Sequence, residues 1–277
     1  MLVDNEKLTF DDLSPRVVLT YKPWEDGLLY GSYSRAIKSG TFNVVALSPT
    51  PVRPETLTAY EIGFKSRFGP VTWNSAAYHY DYEDLQVQIF TAPAGGGPGG
   101  TVALVNAATA TMNGLETDLR FNVSDSLSVD FGAAFLKAEY DSFPEALVTM
   151  PTGLGGNTQF QQDVTGYDVI RAPGITFNAN VNYRHALSDG SAITFTPSVF
   201  FSGDYYWDPL NRIRQPSYAL VTARVTWTSA DERLSASIFG RNLMDARNNA
   251  IMGTSTLGDF VVRGEPRVFG ITLGYSY

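Results

Sequence analysis

Three observations predict an all-β chain and, more narrowly, an antiparallel transmembrane β-barrel. Side chains alternate with a period of two, the segments run to about twice the usual strand length, and the links between them alternate short and long. The alternation is cleanest where Ile175, Phe177, Ala179, Val181 and Tyr183 share one face and Thr176, Asn178, Asn180, Asn182 and Arg184 the other. A period of two belongs to a strand with one apolar and one polar face. No comparably long apolar pattern recurs at i, i+3, i+4, i+7.

In chain order the pattern places strands at 14–23, 27–38, 55–69, 71–90, 104–122, 126–141, 172–187, 191–204, 216–228, 232–246 and 263–277. Val17, Leu19 and Tyr21 mark the apolar face of the first, and Tyr60, Ile62 and Phe64 that of the third. Leu115, Leu119 and Phe121 do so before the middle of the chain, followed by Leu127, Val129, Phe131, Ala133 and Phe135. Ile193, Phe195, Val199 and Phe201 precede Ala219, Val221, Ala223, Val225 and Trp227. The last segment alternates Phe269, Ile271, Leu273, Tyr275 and Tyr277 with Gly270, Thr272, Gly274 and Ser276. Every segment supplies the about 9–11 residues that a tilted strand needs to cross a bilayer.

Short turns fall at Pro23–Gly27, Gly69-Pro70, Ser124-Asp125, Ser188–Gly190 and Ser229–Asp231. Long links fall at 39–54, 91–103, 142–171, 205–215 and 247–262. Outer-membrane barrels alternate in this way because periplasmic hairpins are minimal and outer loops carry recognition. A soluble sandwich has no cause for such regularity. The last strand is therefore expected to end in the periplasm, and residue 14 to lie on the outer side. About eleven strands is an odd number, whereas bacterial single-chain barrels have even ones. The expectation is that residues 1–277 are the C-terminal part of a longer barrel, with a further strand near 8–13 as the other way to even the count.

Composition agrees. Of 277 residues 20 are Lys or Arg and 28 are Asp or Glu, a net charge of −8, with 13% aromatics and no Cys. An acidic chain lacks the positive field that phosphate backbones require, so nucleic acid is not an expected partner. Without Cys there is no disulfide framework, thiolate metal site or cysteine nucleophile. The charged fraction of 17% is low for a soluble domain. Met1–Lys7 has neither a basic stretch nor an apolar one, so no signal peptide is expected there. No run reaches the ~18 apolar residues of a spanning helix.

Particular residues carry a family resemblance. The stretches Asp11–Arg16, Leu29–Arg35 and Lys38–Asn43, and Arg53-Pro54-Glu55-Thr56 leading into Tyr60–Lys65, resemble the mid-barrel of TonB-dependent outer-membrane receptors. Asn113-Gly114-Leu115-Glu116 is similar to that family's N/K-G-x-E strand. Gly240–Asp245 resembles its penultimate-strand signature, and Pro266–Gly270 with a terminal aromatic resembles its last strand. The order and spacing of these motifs together make the match specific. Ala108–Thr111 departs from the family's usual run.

The resemblance implies a barrel of about 22 strands filled by an N-terminal plug domain, with residues 1–277 expected to be its C-terminal half, without the plug, and not transport-competent alone. It further implies coupling to the TonB energy complex through that N-terminal half, and uptake of a scarce ligand, foremost a ferric siderophore. The implied surroundings are the lipid bilayer and lipopolysaccharide of the bacterial outer membrane. Phe269, Tyr275 and Tyr277 resemble the terminal signal read by the barrel-assembly machinery, and an interfacial aromatic belt explains them equally well.

Little else suggests chemistry. His79, among tyrosines, and His185, beside a turn, fit an interfacial belt, and no G-x-S-x-G nucleophile motif is present, so no enzyme is expected. Gly95–Gly100 lacks the Gly-Lys-Ser/Thr ending of a phosphate loop. Asp81, Glu83 and Asp84 lack metal-ligand spacing, and no cofactor or metal is expected. The segment Tyr205-Tyr206-Trp207 with Arg212 and Arg214 is the leading ligand candidate, since rings and guanidinium groups together suit an anionic, partly apolar chelate. The plainer reading is an aromatic girdle with arginines in water or on lipopolysaccharide phosphates. Arg35, Arg53 and Arg171, at outer strand ends, share both readings. Two rival functions stay open at this point: a soluble all-β binding module, and a plugless porin-like or adhesive barrel.

Overall fold

A computed structural model describes residues 7, 9–43, 48–91, 101–106 and 109–277. The Gly95–Gly100 run and Ala108 lie outside the described residues. The chain repeats one unit five times, a long hairpin followed by a short two-stranded ribbon. Strands β1 (Arg16–Tyr21) and β2 (Gly27–Lys38) lead into the ribbon of β3 (Thr41–Asn43) and β4 (Ser48–Val52). Next, β5 (Glu55–Phe68) and β6 (Val71–Glu83) lead into β7 (Gln86–Thr91) and β8 (Thr101–Asn106). The pair β9 (Thr109–Ser124) and β10 (Leu127–Ser142) leads into β11 (Ala146–Pro151) and β12 (Asn157–Gln162). After β13 (Ile175–Ala186) and β14 (Ala192–Ser202) come β15 (Tyr205–Tyr206) and β16 (Arg214–Gln215). Finally β17 (Tyr218–Thr228) and β18 (Leu234–Arg241) precede β19 (Asn249–Ser255), β20 (Gly258–Arg263) and the closing β21 (Val268–Tyr275).

The long hairpins join into one antiparallel 11-stranded sheet, in the order β1-β2-β5-β6-β9-β10-β13-β14-β17-β18-β21. It is a partial barrel wall with β1 and β21 at its two edges. Residues 9–13 carry no strand. The described residues contain no helix, which says nothing about crossing a membrane with strands.

Several predicted strands are shorter than expected. The segment 71–90 breaks after Glu83, because Asp84 adopts a left-handed backbone (φ 54°) that a pleated strand cannot continue. Residues 86–90 and 104–106 belong instead to the β7–β8 ribbon, so the link placed at 91–103 is longer, and 232–246 and 263–277 contract to β18 and β21. All five long links contain paired strands where the sequence showed only irregular loops.

Register explains the two faces. Ile62 pairs with Ala77, Ala77 with Leu115, Leu115 with Phe135 and Phe135 with Ile175, an unbroken apolar row across five strands. The row's Ile62 is 68% exposed, and Leu273 on the last strand 79%. Such exposure of large aliphatics is unfavourable in water and natural in hydrocarbon. Toward the ribbon end the same face carries Tyr33, Tyr60 and His79, with successive ring centroids 5.4 and 6.2 Å apart. Toward the turn end it carries Phe64, Phe68 and Trp73, with Phe64 against Trp73 at 5.2 Å. From Tyr60 to Phe68 the strand advances ~27 Å, or ~20 Å of depth at a tilt of ~40°, close to the apolar band of outer-membrane barrels. Phe269 and Tyr275 lie on this exposed face, and Tyr277 follows the end of β21.

The opposite face is polar and ionic: Arg120 pairs with Asp130 at 2.6 Å, and the Tyr30 hydroxyl donates to Glu61 at 2.6 Å. Gly114 of the N-G-x-E motif has a physical role here. The Tyr78 ring lies across it, so close that a Cβ would sit 2.1 Å from ring carbon. The penultimate-strand motif works differently. Asn242, in a left-handed turn (φ 48°), donates to Ala246 and Glu265 carbonyls at 3.0 and 2.9 Å and accepts the Ala246 N–H, while Arg241 pairs with Glu265 at 2.6 Å.

Candidate functional site

At the ribbon end the polar face turns apolar. Ala110, Ala138, Tyr140, Phe143, Val148 and Val164 are buried together, a core built from the tops of β9 and β10 and from the long link that follows. Burying these side chains fixes the link against the wall by the ordinary hydrophobic term. It also leaves a cavity of about 600 Å³ between the wall and the ribbons. Met112 and Tyr140 line it from the wall, Val87, Val148 and Phe260 from three ribbons, and Trp207 from a fourth. A volume of this size holds a small molecule or one portion of a larger one.

Arg171 and Trp207 form the polar edge of the cavity. Arg171 has a left-handed backbone (φ 58°), its N–H donates to the Tyr206 carbonyl at 2.8 Å, and its guanidinium lies 4.6 Å from the Trp207 ring centre. That contact orders the cation over the ring without neutralising it. Tyr205 stacks obliquely on Trp207 at 5.6 Å. Next in the chain, Asp208 is buried and accepts the N–H groups of Arg212 and Ile213 at 3.0 and 2.5 Å. Burial pushes its carboxyl above the usual carboxylate range, and those backbone donors pull the other way.

Arg212 ties the ribbons together. Its Nη1 and Nη2 donate to Asp259 at 2.6 and 3.0 Å, and Nη2 also reaches the Thr149 carbonyl at 3.3 Å. The Asn157 amide donates to the same Asp259 at 3.0 Å. A hydrogen-bonded cation beside Asp259 holds its carboxyl below the ordinary value.

Of the sequence-derived candidates, the structure brings Arg171, Tyr205, Trp207 and Arg212 into this neighbourhood, with Tyr206 contributing its backbone. It places three elsewhere. Arg35 pairs with Asp12, and Arg53 with Asp84 at the base of β7. Arg214 points to Asp204 at 2.9 Å and is 57% exposed. Asp81 pairs with His79 at 3.1 Å. Among the described residues no three His, Asp or Glu groups cluster as a metal site. Sequence reasoning missed Tyr140 and Asp259. For Tyr140 a signal existed, because Leu136, Ala138 and Tyr140 make the polar face of their strand apolar at its upper end. For Asp259, in a link read as irregular, there was none.

The family model "TonB dependent receptor-like, beta-barrel" matches residues 3–243. The chain belongs to this family. Its place is the bacterial outer membrane, where barrels carry short periplasmic turns and longer extracellular loops. Family members are transport receptors rather than enzymes. The pesticin receptor of Yersinia enterocolitica is 24% identical over 247 residues, which is 88% of this chain and 33% of that protein. Among solved structures, the ferric yersiniabactin uptake receptor of Yersinia pestis aligns with a TM-score of 0.76 at 19% identity, covering 95% of this chain and 37% of that one. The siderophore receptor PiuA of Acinetobacter baumannii gives a TM-score of 0.72 at 18% identity, covering 95% and 36%. The chain thus spans about a third of the relatives it matches, and the shared element is the barrel wall with its loops.

Proposed function

We propose that this chain is the C-terminal wall of a TonB-dependent receptor that captures a ferric siderophore at the cell surface and imports it with energy supplied through TonB. Membership of a family of transport receptors supports the transport class, and siderophore receptors among the relatives support the ligand class. The observation that carries the reading is the roofed cavity beneath the extracellular loops, with Arg171 held over Trp207 at its edge. In this reading the N-terminal part of the receptor supplies the plug and the TonB contact, and the apolar belt meets lipid and lipopolysaccharide. The terminal aromatic strand is offered to the assembly machinery.

Iron-55 uptake in a strain deleted for the receptor gene, and in its complemented parent, tests the proposal across a panel of ferric chelates. Saturable uptake of one chelate, lost on deletion and lost again when TonB is inactivated, is the expected result. Uptake that persists without TonB, or that rises linearly with concentration, is porin behaviour and refutes it.

A further inference from the structure

Two buried donors on the cavity lining lack acceptors. Tyr140 is fully buried, and the polar group beside its hydroxyl, the Ile170 backbone N–H, can only donate, so the hydroxyl proton has no acceptor within hydrogen-bond geometry. The indole Nε1 of Trp207 is likewise buried without an acceptor. Both residues line the cavity, as does Arg171, which makes no ion pair with a carboxylate among the described residues. Asp208 takes two backbone N–H groups on its Oδ1, and the Gln86 amide nitrogen donates away from the cavity donors, to the carbonyls of Ser39 and Arg53 at 3.1 and 3.0 Å. Lys38, a second lining cation, is balanced by Glu55 at 3.6 Å. Apart from Gly253 and the hydroxyl-bearing Thr149 and Thr254, the rest of the lining is aliphatic, aromatic or thioether.

Buried donors are normally satisfied, and two adjoining one cavity beside an unneutralised guanidinium call for an acceptor supplied from outside. We propose that the cavity binds the apolar acid portion of the ligand, an aromatic body ending in a carboxylate or phenolate oxygen. The oxygen takes the free protons of Tyr140 and Trp207 next to Arg171, and the ring fills the apolar volume between Met112, Val148 and Phe260. Highly hydrated ligands of many carboxylates, and cationic ones, are selected against. The inference deepens the uptake reading above and rests on it for the identity of the site.

The probe is 2-naphthoate, compared with the neutral 2-naphthamide and with citrate. Binding is read as energy transfer from tryptophan to the naphthyl group, and for citrate by displacement. The receptor is used with its N-terminal part present, in detergent micelles, with strand content checked by circular dichroism. Naphthoate is expected to bind roughly tenfold or more tighter than naphthamide, in line with a hydrogen bond to a charged acceptor, and citrate not to displace it. Tyr140→Phe, which keeps the buried ring, and Arg171→Gln should each weaken naphthoate roughly tenfold and leave naphthamide unchanged. Arg120→Gln, paired with Asp130 near the tight-turn end of the wall, should change neither. Equal binding of acid and amide, displacement by citrate, or an unaffected Tyr140→Phe overturns the inference. Its fate is separable from the uptake reading: TonB-dependent uptake without naphthoate selectivity sinks this proposal alone, and selectivity without uptake sinks the other.

Discussion

The Arg212–Asp259 pair joins the β15–β16 link to the β19–β20 ribbon, and Asn157 brings the β11–β12 ribbon to the same carboxylate. Removing it should loosen three extracellular loops at once without unfolding the wall. Two unit charges about 3 Å apart attract by roughly 5–6 kcal/mol at an effective dielectric near 20. Desolvation and the fixing of two side chains offset most of that: exposed pairs net about 0.2–1 kcal/mol, whereas breaking a buried pair costs about 3–5 kcal/mol. Side-chain exposures of 25% and 36% place this pair between those limits. Solvent screening then sets the coupling at about 1–2 kcal/mol, or a 5–30-fold change in an opening equilibrium. The assay is amide hydrogen exchange across Arg212→Ala, Asp259→Ala and the double variant. Amides of β19 and β20 should exchange faster by that factor in each single variant, with no further acceleration in the double, while β9 and β10 keep their rates. A coupling below about 0.3 kcal/mol, or equal acceleration in β9 and β10, refutes the reasoning.

Acid gives a second handle on the same tie. Because the folded state lowers the Asp259 carboxyl, its contribution is complete above the ordinary carboxyl value near 3.9 and is lost as pH falls through the lower one, so ribbon exchange corrected for intrinsic rate should match at pH 7 and pH 5 and rise only below about pH 4. Asp208 has the opposite sign, its charge becoming a cost as pH rises through a raised value. Asp208→Asn, which keeps an acceptor for Arg212 and Ile213, should therefore lie within about 1 kcal/mol of wild type at pH 7, whereas Asp208→Ala orphans two N–H groups and should cost about 1–3 kcal/mol in denaturant titrations in micelles. On the wall, Ile238→Arg should cost about 2–4 kcal/mol, since Ile238 is 61% exposed between Val225 and Ile271 on the lipid face. Thr272→Arg, one residue along on the polar face, should cost less than about 0.5 kcal/mol in the same titration; equal costs refute the assignment of faces. Gly114→Val places its branches where the Tyr78 ring lies, and near-ultraviolet circular dichroism should lose tyrosine signal with far-ultraviolet signal retained.

Much of this protein was readable without coordinates, for one reason. A strand between lipid and a polar interior must alternate with a period of two, so Ile175–Arg184 or Phe269–Tyr277 declare their faces residue by residue, and link lengths declare the sides of the membrane. Eleven wall strands and the apolar faces that carry Ile62 and Leu115 follow from that constraint, whereas their register comes from the structure. Local exceptions were not legible: nothing near Asp84 announces the left-handed backbone that splits the expected strand at 71–90.

The site was legible only as a list of residue types. Arginine and aromatic side chains at outer strand ends look alike in sequence, yet Arg214 finds a carboxylate in its own loop and Arg35 and Arg53 find Asp12 and Asp84 in adjoining segments, whereas Arg171 finds the Trp207 ring beside a cavity. That difference depends on which of five ribbons pack together. Packing between loops distant in the chain is set by long-range contacts such as Arg212 with Asp259, which no periodicity encodes. Sequence therefore determined the wall, because the two solvents on its faces impose a repeating pattern. Tertiary structure decided the pocket, because it arises where that pattern stops.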